Sequence, residues 1–374
     1  MTAIPFLTPR MPAAADVATD VAAIWQSGTF TNSGPVEHLF ERALADFIGG
    51  EVGVAVTSNA TTAIMLASGA LMHGDRPHVL IASFTAAAVP LAARWSGFAP
   101  LLVDVEPETW QPDAGKAEQF LEREGHNVAG IILTNTFGTA NPDIERWEAI
   151  ATRFSLSLVV DSAAGWGSQY PWGERLGRRG DCEIFSFHAT KTMAVGEGGA
   201  VATRNTDIVE AINRLKNYGF DADRRSQLAG LNGKLPEVAS AIGLRQLATF
   251  ESRIERRRAV LGCYKSHLEE IGCCFQTAVM QSAPPFVSVA LPHGVSRRRV
   301  GEALDDSGIG WRAYYNPPIH RQPSFAGVRT LDELIVTEDL ADRMLSLPLD
   351  DELSEADVVR VARAVARGMD AGQR

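Results

Sequence analysis

The sequence predicts an α/β fold: a mainly parallel sheet with helices on both faces, then a smaller α+β unit. Three observations carry this. Short apolar runs recur through the first half, each followed by a turn and a helical stretch, which is the repeat of a parallel sheet. The runs are apolar throughout rather than alternating, as strands covered on both faces require. From about residue 259 the texture changes to shorter strands and helices. We place a large domain, with an N-terminal arm, at 1–250 and a smaller one at 251–374.

The elements follow in order. After a Pro-containing arm, an amphipathic helix is expected over 15–26. Residues 27–35 (SGTFTNSGP) are too rich in Gly and Pro for an element. Their hydroxyls and amide suit a polar ligand or a plain connector. A helix follows over 35–48. A strand at 51–56 runs into Thr57-Ser58-Asn59-Ala60-Thr61-Thr62, which opens another helix. Small hydroxyl residues there act as caps, or form an anion site, because first-turn amides and the helix dipole both favour a phosphate.

Further strands are expected at 79–82, ending in Ser83-Phe84-Thr85, and at 100–103, ending at Asp104. A helix reaching Trp95 lies between them. The next strands are at 128–133, ending in Asn135-Thr136-Phe137-Gly138, and at 156–160, delivering Asp161. A helix over 144–154 separates that pair. Phe84, at a strand end, is either core or a ring that stacks on a flat heteroaromatic. Ile184, Phe185 and Phe187 mark a strand buried on both sides. It runs through Ser186 to His188, Thr190 and Lys191, then into a loop ending Glu197-Gly198-Gly199 and a short strand at 200–203. A helix over 208–215 and a polar segment at 217–231 come next. GLNGKLPE then opens a long helix reaching about residue 258. The smaller unit holds a strand at 285–291, the stretch WRAYY, Pro317-Pro318, His320-Arg321 and a terminal helix over 355–369.

The totals exclude several classes of function. The net charge is −10, from 35 basic and 45 acidic side chains, which argues against wholesale binding to nucleic acid or an anionic membrane. The four cysteines lack metal-ligand spacing and read as reduced, cytoplasmic thiols, so no metal is expected. No signal-peptide pattern and no apolar run of membrane-spanning length is present. A G-x-G-x-x-G after the first strand is missing, so a dinucleotide fold has no direct support.

A lysine at the carboxyl end of a core strand sits where open α/β sheets place their ligands. With its neighbours it specifies pyridoxal phosphate (PLP), which needs an amine, an anion for the pyridine nitrogen, a phosphate cup and a ring sandwich. Lys191 supplies the amine that joins the cofactor. Asp161 pairs with the ring nitrogen. The backbone of Ala60 and Thr61 with the Ser186 hydroxyl forms the cup, and Phe84 covers one ring face.

On these residues the chain resembles the DegT-type sugar nucleotide aminotransferases, of PLP fold type I. The likeness runs from about residue 30 to 353, through TNSGPVEHLFE, TSNATTAIMLA, SFTAAAV, VDVEPETW, NTFGTANPDIE, VVDSAAGWGS, FSFHATK, GEGGAV, RLKNYG, GLNGKLPEVASAIGLRQL and SLPL. The resemblance implies that Lys191 also moves the proton between substrate and cofactor. It implies that Asn232 reaches the cofactor phosphate of a partner subunit, so that a homodimer shares its active sites. It further implies glutamate as amino donor and a nucleotide-linked keto sugar as acceptor, with the FHATK and NGK wording closest to members acting on a dTDP-4-keto-6-deoxyhexose. Lys234, Arg312, Tyr314 and His320 are candidates for the glutamate carboxylates or the nucleotide diphosphate, or else surface or inter-domain contacts. One position departs from the family: Ala164 stands where a His or Gln usually contacts the ring oxygen, with Trp166 nearby. His188 and Glu197 read as strand-end and turn residues. Two other readings are a transaminase of keto-cyclitols or other ring ketones, and a non-catalytic protein that keeps the fold.

Overall fold

The structure, a computed structural model, describes residues 2–370. Ten strands are formed: β1 (Gly53–Thr57), β2 (His78–Ala82), β3 (Ala99–Val103), β4 (Val128–Thr134), β5 (Ser157–Asp161), β6 (Cys182–Ser186), β7 (Gly199–Thr203), β8 (Phe286–Ala290), β9 (Arg329–Thr330) and β10 (Met344–Pro348). Eight of them make one sheet in the order β1-β7-β6-β5-β4-β2-β3-β9. All neighbours in it are parallel except those of β7, which runs against β1 and β6. That reversal follows from the connection: β6 and β7 are joined by the lysine loop alone, with no crossover helix to turn the chain back.

The apolar strands bury both faces, as their composition requires. One face packs Phe40, Leu44, Trp147, Phe185 and Phe187; the other packs Ile64, Leu66, Val79, Ile132 and Ile212. Neighbouring strand residues such as Ile132 and Leu133 go to opposite cores because side chains alternate across the sheet. A third core, with Leu261, Tyr264, Val287, Leu345 and Val361, belongs to the smaller unit, where β8 and β10 pair antiparallel.

Several helices stand where the sequence puts them. Pro35–Ile48 starts on proline and stops at Gly49, whose φ is 138°. The expected long helix is instead two, Glu237–Leu247 and Phe250–Glu270. The break turns Gln246 and Arg253 toward the lysine loop, where they donate to the carbonyls of Ala194 (2.9 Å) and Thr192 (3.2 Å). Helices Ala114–Glu124, Arg297–Asp305 and Ile335–Arg343 were not anticipated.

The division of the chain is less clean than a cut at residue 250. The N-terminal arm, assigned to the large domain, pairs with the smaller unit: Ile4 N–H donates to Gly308 O (2.9 Å) and Gly310 N–H to Ile4 O (2.8 Å). Arg10 then forks onto Asp350. In the other direction, β9 and the packed side chains of Ile319 and Phe325 return to the large sheet and its core. Asp104, fully buried at the end of β3, accepts from the N–H of Val336 (3.0 Å) and from the N–H (2.8 Å) and hydroxyl (2.7 Å) of Thr337. A carboxylate at the start of helix Ile335–Arg343 suits the helix dipole and ties the two units together.

Candidate active site

The parallel strands end along one edge, and the chemistry-bearing residues collect there. Asp161 closes β5 and is 5% exposed. Its carboxylate accepts the Ala163 N–H (3.1 Å), and its carbonyl accepts the Asn135 N–H (2.9 Å). A buried network fixes the turn behind it. Ser162 donates to Glu183 (2.8 Å) and accepts from Asn135 (2.8 Å), while Tyr170 and the N–H groups of Arg178 and Arg179 also reach Glu183. Burial pushes the Asp161 carboxyl up, against the lowering effects of Ala163 N–H and the Lys191 charge.

Lys191 rides on a loop closed by its own backbone: Phe187 N–H to Gly198 O, Ala189 N–H to Gly196 O and Val195 N–H to Phe187 O, each 2.8 Å. Its side chain is partly accessible to the cleft, yet enclosed enough that burial lowers its pKa while the Asp161 charge raises it. The two groups therefore lie within electrostatic reach of each other. The amine gives up its proton more readily than a free lysine does.

The β1–β7–β6 rim is made of backbone and small side chains. Asn59 caps helix Ala60–Leu71 by accepting from Thr62 N–H (2.8 Å). The N–H groups of Ala60 and Thr61 have no protein acceptor among the described residues, so they are free for an anion. Gly199 lies against this turn: a Cβ there would come 2.5 Å from the Asn59 carbonyl carbon, so only glycine lets β7 approach. Ser186, 7% exposed, stands beside it as the register partner of Gly199. The loop with Asn232 packs on the same helix start, Ser58 N–H donating to Gly233 O (2.7 Å), and Asn232 itself is exposed.

The β4–β2 rim is aromatic and corrects one expectation. Phe84 has no exposed surface. Phe137 and Tyr315 meet it edge-on at 5.8 and 5.5 Å, so it has no free face to stack on a ligand. Ala86 and Ala87, two and three residues on, are the first partly accessible positions beyond that strand end. Tyr315, not singled out in the sequence, lies parallel on Phe137 at 5.2 Å. Its only sequence signal was adjacency to Tyr314, which packs on Phe6 and Phe286 instead. Trp166 does not make up for Ala164: its indole stacks on Phe47 and meets Phe185 and Phe187 edge-on, within the core.

The remaining candidates are spread out. Lys234 donates to Asn217 (3.2 Å) and sits 4.8 Å from the Tyr218 ring centre. Arg312 is exposed, with its guanidinium 5.4 Å from the Phe6 ring centre. His320 pairs with Glu338 at 2.5 Å, and its other nitrogen is buried without a partner. His188 bonds Thr190 (2.8 Å) and lies 3.5 Å from Glu197.

The site fits PLP on its own terms. Among the described residues one Asp161 oxygen lacks a donor and the helix start has free N–H groups, and an enclosed amine lies within electrostatic reach of the carboxylate. The overall fold is shared with solved enzymes. A Bacillus cereus ATCC 10987 chain, assigned as a PLP-dependent aminotransferase, is 28% identical with a TM-score of 0.92, over 97% of this chain and 100% of its own. DesI, solved in the presence of its TDP-sugar product, is 29% identical with a TM-score of 0.89, over 99% and 94%. The fold is that of the PLP-dependent aminotransferases of fold type I. Within that class the chain belongs to the DegT/DnrJ/EryC1/StrS aminotransferase family, matched over residues 13–366. Two relatives are Protein Rv3402c of Mycobacterium tuberculosis (strain ATCC 25618 / H37Rv), 43% identical over 97% of this chain and 89% of its own, and the GDP-perosamine synthase of Caulobacter vibrioides (strain ATCC 19089 / CIP 103742 / CB 15), 31% identical over 87% and 88%.

Proposed function

We propose that the protein moves an amino group from glutamate to a nucleotide-linked keto-deoxy sugar, with a dTDP-4-keto-6-deoxyhexose as acceptor, using PLP held at Lys191. The observation that carries this reading is the enclosed Lys191 amine within reach of the buried Asp161 carboxylate at the strand ends. The names of DesI's product and of GDP-perosamine synthase support a nucleotide-linked sugar.

The residues divide the work. Asp161 holds the proton on the pyridine nitrogen. The N–H groups of Ala60 and Thr61 and the Ser186 hydroxyl hold the phosphate. Bound PLP supplies a carbonyl that exchanges for an amino group and a ring that withdraws electrons. Lys191, its pKa lowered by burial, takes and returns a proton at Nζ. Lys234 and Arg312 supply positive charge for carboxylate or diphosphate oxygens, and Tyr314 and His320 are the further candidates for these contacts. Asn232 reaches the cofactor phosphate of a second copy, so the working form is a cytoplasmic homodimer.

The test has two stages. Protein loaded with PLP and reduced with borohydride is digested, and mass spectrometry is expected to find the cofactor on Lys191. Absence of any adduct, or an adduct elsewhere, overturns the reading. Loaded protein is then offered glutamate with a panel of dTDP-, GDP- and UDP-linked keto sugars and keto-cyclitols. The dTDP-4-keto-6-deoxyhexose is expected to be aminated fastest.

A further inference from the structure

We infer that the Tyr315 hydroxyl is the hydrogen-bond donor to the phenolate oxygen of the cofactor ring, an assignment that rests on the PLP reading above. The argument is one of sides. PLP presents three polar edges: the ring nitrogen, the phosphate arm and the phenolate oxygen. The last two lie on opposite sides of the line from the nitrogen to the carbon that carries the reacting carbonyl. With the nitrogen at Asp161 and the carbonyl toward Lys191, that line starts at the end of β5. The phosphate groups, Ala60, Thr61 and Ser186, all lie on the side of β6, β7 and β1. The phenolate oxygen therefore faces β4 and β2.

The polar groups on that side are nearly all engaged. Asn135 donates to Ser162 (2.8 Å) and accepts from Asn141 N–H (2.8 Å). The hydroxyls of Thr85 and Thr134 bond each other at 3.1 Å, and both residues are buried. Ser83 is held by Thr337 and Ser162 by Glu183. The hydroxyls of Thr136 and Thr139 and the amide nitrogen of Asn141 have no partner among the described residues but are sealed from solvent. Ala163, Ala164 and Gly165 offer no side-chain donor, and Trp166 faces the core.

Tyr315 is what remains. Its ring is set by Phe137 beneath it and Phe84 at its edge, at the ends of the two strands in question. The residue is partly accessible, and its hydroxyl has no hydrogen-bond partner among the described residues. Burial and the neighbouring charges of Asp161 and Tyr314 push the phenol's pKa up, so it stays protonated and donates.

Tyr315→Phe removes the hydroxyl and keeps the ring. The PLP-loaded dimer is titrated from pH 5 to pH 10 while its visible absorption band is followed. A donor to the phenolate makes that oxygen less basic. Its removal is expected to raise the midpoint of the band by about one pH unit, the range of a hydrogen bond to a charged acceptor. Tyr314→Phe, with Asp161, Lys191 and Tyr315 intact, is expected to leave the midpoint within about 0.2 unit of wild type, a shift too small for a lost charged hydrogen bond. An unchanged midpoint in Tyr315→Phe overturns the assignment, including the case in which only the KM for the sugar rises. Wild-type protein that develops no visible band with PLP overturns the functional reading itself, which separates the two failures.

Discussion

On the β1–β7–β6 side of the cleft the protein offers backbone: two free N–H groups, a capping asparagine and a glycine pressed against the turn. On the β4–β2 side it offers rings: Phe84, Phe137 and Tyr315 interlocked, with Phe6, Phe286 and Tyr314 packed behind. The first rim comes from residues near one another in sequence or in adjacent strands. The second draws on the arm, the large sheet and the smaller unit together. The two rims therefore fail in opposite ways. The backbone rim is hurt by added atoms, because nothing there can move aside. The ring rim is hurt by removed atoms, because each ring is a wall for the next.

The sharpest challenge lies where the rims meet. Lys191→Ala is expected to lower amino transfer by about 10⁴-fold, the upper range for a positioned acid–base group, with more because the covalent anchor also goes. Single-turnover reaction with glutamate measures it, and retained turnover means the rims do not converge on this lysine. Next, Phe137→Ala empties the middle of the ring rim and is expected to cost about 3–5 kcal/mol in denaturant unfolding. A loss under about 1 kcal/mol would show rings that relax independently, against the usual cost of a core cavity. Gly199→Val tests the opposite failure. Its side chain meets the Asn59–Ala60 backbone and is expected to cost about 1–3 kcal/mol. Equilibrium dialysis is expected to show weaker retention of PLP as well. Asn59→Ala removes only the cap, with an expected loss of about 1 kcal/mol in the same unfolding assay.

The smallest effect is in pH. Burial raises the Asp161 carboxyl in the folded chain, so in PLP-free protein the folded state keeps a proton that the unfolded chain has released. Stability then falls as pH climbs from about 4, the value of a free carboxylate, through the raised folded value. Glu183, also raised by burial, adds the same sign. Lys191, lowered by burial, acts at higher pH and with the opposite slope, stability rising toward the free-lysine value. Asp161→Asn is expected to flatten the acid-side slope in thermal melts, and an unaltered slope would remove Asp161 from that balance.

How far the sequence could be read follows the same divide. The order of elements was legible because apolar runs and helical periodicity are local. The placement of Lys191, Asp161, Ser186 and the helix start at Ala60 at strand ends was legible for a related reason: strand ends and caps are written beside the strands they serve. The place of Tyr315 was not, since it packs on a ring beyond the end of β4 and a ring beyond the end of β2. Phe84 was misread for the same cause. Position after a strand does not reveal that Phe84 packs against Phe137 and Tyr315 with no exposed surface. The two-residue β9 and the arm's pairing with Gly308 and Gly310 were equally hidden, because a pairing partner hundreds of residues away leaves no mark on local composition.

That arm has a consequence for biogenesis. Ile4 leaves the ribosome early, but its backbone partners at Gly308 and Gly310 follow some three hundred residues later, and Asp350, the mate of Arg10, later still. At roughly 5–20 residues per second the arm stays unpaired for about 15–60 s of translation. The large sheet can assemble during that interval, while the smaller unit closes only once the partners of the arm have been made.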